Sequence, residues 1–256
     1  MKLSIISPKG FLQKLWPELY NLGFDLLINS VSPDCDYILG MSISQMSGVM
    51  KAHELFPHIP VVNYNWDIYE WHLKNPRPND YDWSGYKRLL LEGKVWVPSE
   101  VTKKRTKELL GLDSTVIKTF VTLYDYPVKD ENYVLIPWRE MPDECYGWAA
   151  QACTELNIPY KTPNHSLKWE DWKKTVAGCS FIVSDHKEAS TGSLSIIEAA
   201  YLGKYTICNG SEYSAAREYL NGTGWYFTDY EDLKMKIRLA WKEKPVMEDK
   251  AHRAWL

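Results

Sequence analysis

Short apolar runs separated by stretches of helical spacing set the rhythm of the chain. Residues 3–7 predict a buried strand that closes in a Ser7-Pro8-Lys9-Gly10 turn. Leu12, Leu15, Trp16, Leu19 and Leu22 then recur at roughly helical spacing and stop at Gly23, with Pro17 predicting a kink or a late start. Apolar or β-branched runs at 24–29, 37–39, 59–64 and 94–97 predict further strands, the last closed by Pro98-Ser99. A charged helix is expected over 100–110, ending at Gly111. Beyond it the pattern predicts strands at 133–136, 158–160, 180–183 and 205–208. Helices are expected at 143–156, 169–176, 193–202, 215–220 and 233–241.

Strands alternating with helices, with few hairpin signals, imply parallel sheets joined by crossover helices. A polar, Pro-containing stretch at 124–131 reads as a linker. The expected organisation is therefore α/β, with two Rossmann-like domains at 1–126 and 127–256 facing a cleft. The segment 67–86, rich in Trp, Tyr, Asn, Asp and Pro, breaks the rhythm, and loops of that length in compact domains are usually functional or mobile.

Composition narrows the classes. At 45% hydrophobic and 25% charged residues, the chain has ordinary globular content and ample core. Twelve Trp and seventeen Tyr give an aromatic excess that serves core packing or stacks on a sugar or base. A net charge of −3 argues against a broad phosphate-binding surface; the Lys103-Lys104-Arg105 run reads as a solvated helix face. Cys35, Cys145, Cys153, Cys179 and Cys208 are widely spaced, with no CxxC or Cys/His cluster, and read as reduced thiols of a cytoplasmic, soluble protein. No run approaches membrane-spanning length.

Chemistry concentrates in residues 184–204. The order there is strand, polar loop with Gly192, helix, Gly203 stop, strand. A small-residue loop entering a helix leaves free N–H groups at the positive end of the dipole, a cradle for phosphate. Glu198, in the first turns, is placed to accept hydrogen bonds from ribose hydroxyls. The bland alternative is that residues 190–193 only cap the helix and Glu198 is solvated.

This run resembles the nucleotide-sugar segment of the B-fold (GT-B) glycosyltransferases, group 1, a family 4-like set whose members usually retain anomeric configuration. Their pattern has a Glu, a Gly-containing loop, a second Glu eight residues later, then Ala and a Gly-Lys or Gly-Pro pair before a strand. Glu198-Ala199-Ala200-Tyr201-Leu202-Gly203-Lys204 matches the second half. The first half departs: Ser190 stands eight residues before Glu198, and the nearest acid, Glu188, stands ten before. Residues 95–99 resemble the end of the family's first domain and 133–139 the first strand of its second, whose Arg, here Arg139, meets the donor diphosphate. Five residues past Arg139, where the family carries Lys, stands Glu144.

The resemblance implies a compact glycosyltransferase using a nucleoside diphosphate sugar as donor substrate, with no cofactor and no metal. Its second domain would hold the donor through Arg139, Lys187, Ser190, Thr191, Gly192, Ser193, Leu194 and Glu198. Glu188, Asp67 and Arg139 are the catalytic candidates. The first domain would hold the acceptor, with Gly10, Trp66 and Asp67 facing the cleft; Asp67 follows a parallel strand, where carboxylates reach ligands. A glycan or small molecule is the expected acceptor, ahead of DNA, and a phage or viral enzyme that glycosylates DNA bases is the narrower variant. The other class is a non-catalytic nucleotide- or sugar-binding protein of the same fold. Asp34-Cys35-Asp36 and Asp80-Tyr81-Asp82 match a metal-holding Asp-x-Asp pattern that arises easily by chance.

Overall fold

The computed structural model describes residues 1–6, 19–41, 46–64, 90, 93–118, 126–137, 145–163, 167–186, 194–212, 214–220 and 224–244. The chain divides into two compact units, Met1–Thr122 and Leu123–Leu256. Each carries one parallel sheet, which is the α/β class the alternating pattern implies.

The first unit has six strands: β1 (Lys2–Ile6), β2 (Asp25–Ile28), β3 (Tyr37–Met41), β4 (Val61–Tyr64), β5 (Lys94–Val97) and β6 (Thr115–Val116). Their order across the sheet is β2-β1-β3-β4-β5-β6. Helix α1 (Met46–Leu55) connects β3 to β4, and α2 (Glu100–Leu110) connects β5 to β6. The strand pattern had not suggested α1, whose core contacts are made by Val49 and Ala52, three residues apart. Helix α2 is closed at both ends. Ser99 accepts from the Thr102 amide at 3.0 Å, and Gly111 takes φ 71°, a left-handed cap that costs glycine nothing.

The second unit runs β7 (Val134–Leu135), α3 (Trp148–Glu155), β8 (Tyr160–Lys161), α4 (Trp169–Gly178), β9 (Phe181–Ser184), α5 (Leu194–Tyr201), β10 (Tyr205–Asn209), α6 (Ala216–Tyr219), β11 (Trp225–Phe227) and α7 (Tyr230–Glu243). Strand order is β11-β10-β9-β7-β8. Neighbouring strand residues bury on opposite faces. Val134, Ile136, Phe181 and Val183 pack with Ala149, Cys153, Leu233 and Ile237 of α3 and α7. Tyr133, Leu135 and Ile182 pack with Val176 of α4 and Ala199 of α5. A parallel sheet covered on both faces reads as continuous apolar runs, which is why these strands were visible in the sequence.

Two helices start away from their expected positions. The helix expected from 143 begins at Trp148, after Gly147 at φ 86°. The helix expected from 233 begins at Tyr230, because Asp229 accepts from the Asp232 amide at 2.9 Å and caps it. The turn at 7–10 and the aromatic segment 67–86 lie outside the described residues. All five cysteines are buried, and none is in a disulfide. Among the described residues no helix is long and apolar enough to cross a membrane.

Candidate functional site

In a doubly wound parallel sheet, ligands bind beyond the carboxyl ends of the strands where strand order reverses direction. In the second unit the chain steps from β7 outward to β8, then returns to lay β9, β10 and β11 on the other side. The switch point therefore lies between β7 and β9. The segment carrying Arg139 leaves β7 and returns at α3; the segment carrying Lys187 and Glu188 leaves β9 and returns at α5. Topology thus brings the flanks of both sequence-predicted donor segments to one edge of one sheet.

Arg139, Lys187, Glu188, Ser190, Thr191, Gly192 and Ser193 themselves lie outside the described residues, as do Gly10, Trp66 and Asp67 of the first unit. Leu194 is described as the first residue of α5. Glu198 is described in full, and it is not a solvated helix residue: it is 1% exposed. The indole Nε1 of Trp172, on α4, donates to its Oε2 at 2.5 Å. Burying a carboxylate is costly unless donors satisfy it, so Glu198 is held by the α4–α5 contact and not by its helix alone.

Two further anchors close the base of the switch point. Asp185, the residue after β9, is 5% exposed and accepts from the Ala149 amide at 3.2 Å. Its carboxylate sits in the first turn of α3, where negative charge meets the positive end of the dipole. Gly147, at the N-cap, offers no side chain of its own. Asn209, the last residue of β10, donates its amide to Cys145 Sγ at 3.5 Å, and its Oδ1 accepts from the Ser211 amide at 2.9 Å. The ends of β9 and β10 are thereby tied to the turn that starts α3.

Trp172, Asp185 and Asn209 were not singled out from sequence. Asp185 carried a usable signal, since it is a carboxylate directly after a buried strand, the same argument that marked Asp67. Trp172 carried none, because its partner is 26 residues away on another helix.

Other marked residues have structural employment. Lys204 is buried at the opposite, amino end of β10 and donates to the Cys179 carbonyl at 2.5 Å; burial lowers its pKa. Asp34 and Asp36 both serve Lys2 at the start of β1, Asp34 through the ammonium at 2.8 Å and Asp36 through the backbone amide at 2.7 Å. Asp80 and Asp82 lie outside the described residues. Along α2, Lys103, Lys104 and Arg105 each lie within 4.0 Å of Glu100 or Glu108, and Lys107 reaches Asp113 at 2.8 Å. Every cation of this run thus lies beside a carboxylate, Glu108 serving two of them.

Comparison with known proteins agrees on architecture. No protein-family model and no curated protein sequence matches the chain. Among solved structures it is similar to Anabaena Alr3699/HepE in complex with UDP-glucose, at TM-score 0.62 and 13% identity, covering 99% of this chain and 92% of that one. It is also similar to a putative UDP-N-acetylglucosamine 2-epimerase from Listeria monocytogenes, at TM-score 0.56 and 12% identity, covering 99% and 89%. A third is a mutant form of S. aureus TarM in complex with Fondaparinux, alpha-GlcNAc-glycerol and UDP, at TM-score 0.59 and 13% identity. The match covers 85% of this chain, which spans about half of TarM, 51%. The fold is that of GT-B glycosyltransferases and their epimerase relatives: two Rossmann-like α/β units, each built on a parallel sheet.

Proposed function

We propose that the chain is a glycosyltransferase that moves a sugar from a nucleoside diphosphate sugar to an acceptor, with the donor held by the second unit. The observation that carries this reading is the strand order of the second sheet. It places the flanks of the Arg139 segment and of the 187–193 segment side by side at the switch point, with buried Glu198 on the helix that follows. Structures of similar fold hold UDP-glucose, or UDP and glucose.

In this reading the amides entering α5 and the Arg139 guanidinium hold the diphosphate. Their attraction grows as negative charge develops on the leaving group, so they favour the transition state over the bound donor. Glu198 takes the ribose hydroxyls, Lys187 and Glu188 reach the sugar, and the first unit holds the acceptor through Gly10, Trp66 and Asp67. Retention of anomeric configuration is part of the proposal, as are the absence of a metal and a glycan or small-molecule acceptor.

Two departures favour a second reading, a binding protein without turnover. Glu144 stands where a lysine is expected, and the acid before the loop stands ten residues from Glu198 in place of eight. Release of nucleoside diphosphate from a panel of sugar donors separates the two, with sugar products resolved by chromatography. Transfer that falls at least tenfold in Arg139→Ala and Glu188→Ala supports the enzyme and the assigned roles. Donor binding without release supports the binding protein, and a free epimerised sugar places the chain with the epimerases. Transfer at the wild-type rate in both variants overturns the role assignments.

A further inference from the structure

We infer that Trp172 is a positioning residue for ribose recognition, acting through Glu198; this rests on the proposed donor site in the second unit. Three observations lead to it. The Trp172 Nε1–Glu198 Oε2 bond joins side chains from different helices, so it fixes the carboxylate relative to α4 as well as α5. Glu198 is 1% exposed, so bulk water does not set its orientation and a protein donor must. With so little of the residue open, any ligand contact is confined to a small part of it, and a small rotation of the side chain would remove that contact.

The third observation is the place of Glu198 along α5. Helical side chains lean toward the helix N-terminus, so Glu198 covers the turn before it. Glu198 is four residues past Leu194, about 6 Å along the axis at ~1.5 Å per residue. The diphosphate is proposed at the start of α5, and the ribose is the next group along the donor. A carboxylate one turn up the helix is in register with it, provided its rotamer is fixed. Trp172 supplies that fixation while its ring packs on the cluster of Tyr133, Leu135, Ile182 and Ala199.

The test separates the indole N–H from the ring. Trp172→Phe keeps an aromatic ring in the packing and removes the donor; Glu198→Gln keeps the shape and removes the charge. Affinities of UDP, GDP and ADP, each beside its 2′-deoxy counterpart, are measured by calorimetry for wild type and both variants. Melting curves and circular dichroism check that each is folded. The wild type is expected to prefer one ribonucleotide over its deoxy form by about tenfold or more. Both variants should reduce that ratio to within about twofold of unity, and in an activity assay Trp172→Phe should raise donor KM while leaving kcat within a few-fold. A merely structural tryptophan would lower the melting temperature and leave the ratio unchanged.

If Glu198→Gln loses the ratio and Trp172→Phe keeps it, the Trp172 role is overturned and the donor site stands. If both variants keep it, Glu198 serves only the α4–α5 contact and the inference fails. A wild type that binds without ribose preference, or binds only a deoxynucleotide, overturns the inference. A wild type that binds no nucleoside diphosphate overturns the donor site as well.

Discussion

Asp185→Ala removes a buried anion from the first turn of α3. The Ala149 amide, which it meets at 3.2 Å, is left facing a truncated side chain, and Gly147 has none to substitute. Loss of an N-cap acceptor costs about 0.5–2 kcal/mol. A hydrogen bond to a charged group is worth ~1.5–3 kcal/mol, and a partly buried charge–dipole contact up to about 2. These describe one interaction from three sides and do not add, so the expected loss is about 2–3 kcal/mol. Asp185→Asn keeps an acceptor and loses the charge, for about 1 kcal/mol. The second unit spans Leu123–Leu256, and for a unit of that size 1 kcal/mol moves the midpoint by roughly 3–5 °C. Calorimetry of the whole chain, with urea unfolding as a second measure, reads the effect. Asp185→Ala should lower the transition of the second unit by roughly 6–15 °C and leave that of the first unit in place. A change under about 0.5 kcal/mol would refute the capping role, since substitutions away from such features fall in that range.

Three further outcomes are expected. In Gly40→Ala the new methyl would lie 2.8 Å from Val49 Cγ2 and 2.9 Å from Asn63 Oδ1, so urea unfolding of the first unit should show a loss of about 1–3 kcal/mol. A neutral Gly40→Ala would mean that α1 does not pack on β3 as described. The Lys234 ammonium, then Gln151 and Tyr230, hold the Glu155 carboxyl down to about 2. Because the folded pKa lies below the unfolded value of about 4.3, this stability is complete above that pH and is lost as pH falls toward 2. Lys234→Met should therefore flatten the acid limb of melting temperature against pH, and an unchanged limb counts against the pair. Burial raises the Cys153, Cys179 and Cys208 thiols to about 12, and Cys35 and Cys145 are buried too. A thiol reagent at about pH 8 should titrate less than one group in native protein and five after denaturation; fast native reaction would contradict the packing.

What could be read from the sequence follows the physics of burial. Strands covered on both faces, such as β9 and β10, announce themselves as apolar runs, and alternation of strand and helix gives the parallel topology. Helix α1 escaped because Ser47, Gly48, Lys51 and His53 interrupt its stripe, although the three-residue spacing of Val49 and Ala52 was present. The edge strands β6 and β11 are two and three residues long, too short to carry a period. At the site, Glu198 was marked from its place on a helix after a small-residue loop. Its burial was not legible, because its hydrogen-bond partner Trp172 lies on a different helix. Asp185 was legible in principle from its position after β9, and its target, the amide of Ala149, was not, since only the fold brings α3 to that strand end.

The most direct measurement is a melting-temperature panel with UDP, GDP, ADP, TDP and their common sugar conjugates, each with and without magnesium. Ligand at about a hundred times its dissociation constant stabilises the native state by roughly 2.7 kcal/mol. One base family is expected to raise the midpoint of the second unit by several degrees, its sugar conjugate to do so too, and magnesium to change neither shift. Midpoints unmoved by every nucleotide in the panel would contradict a donor site at the β7–β9 switch point.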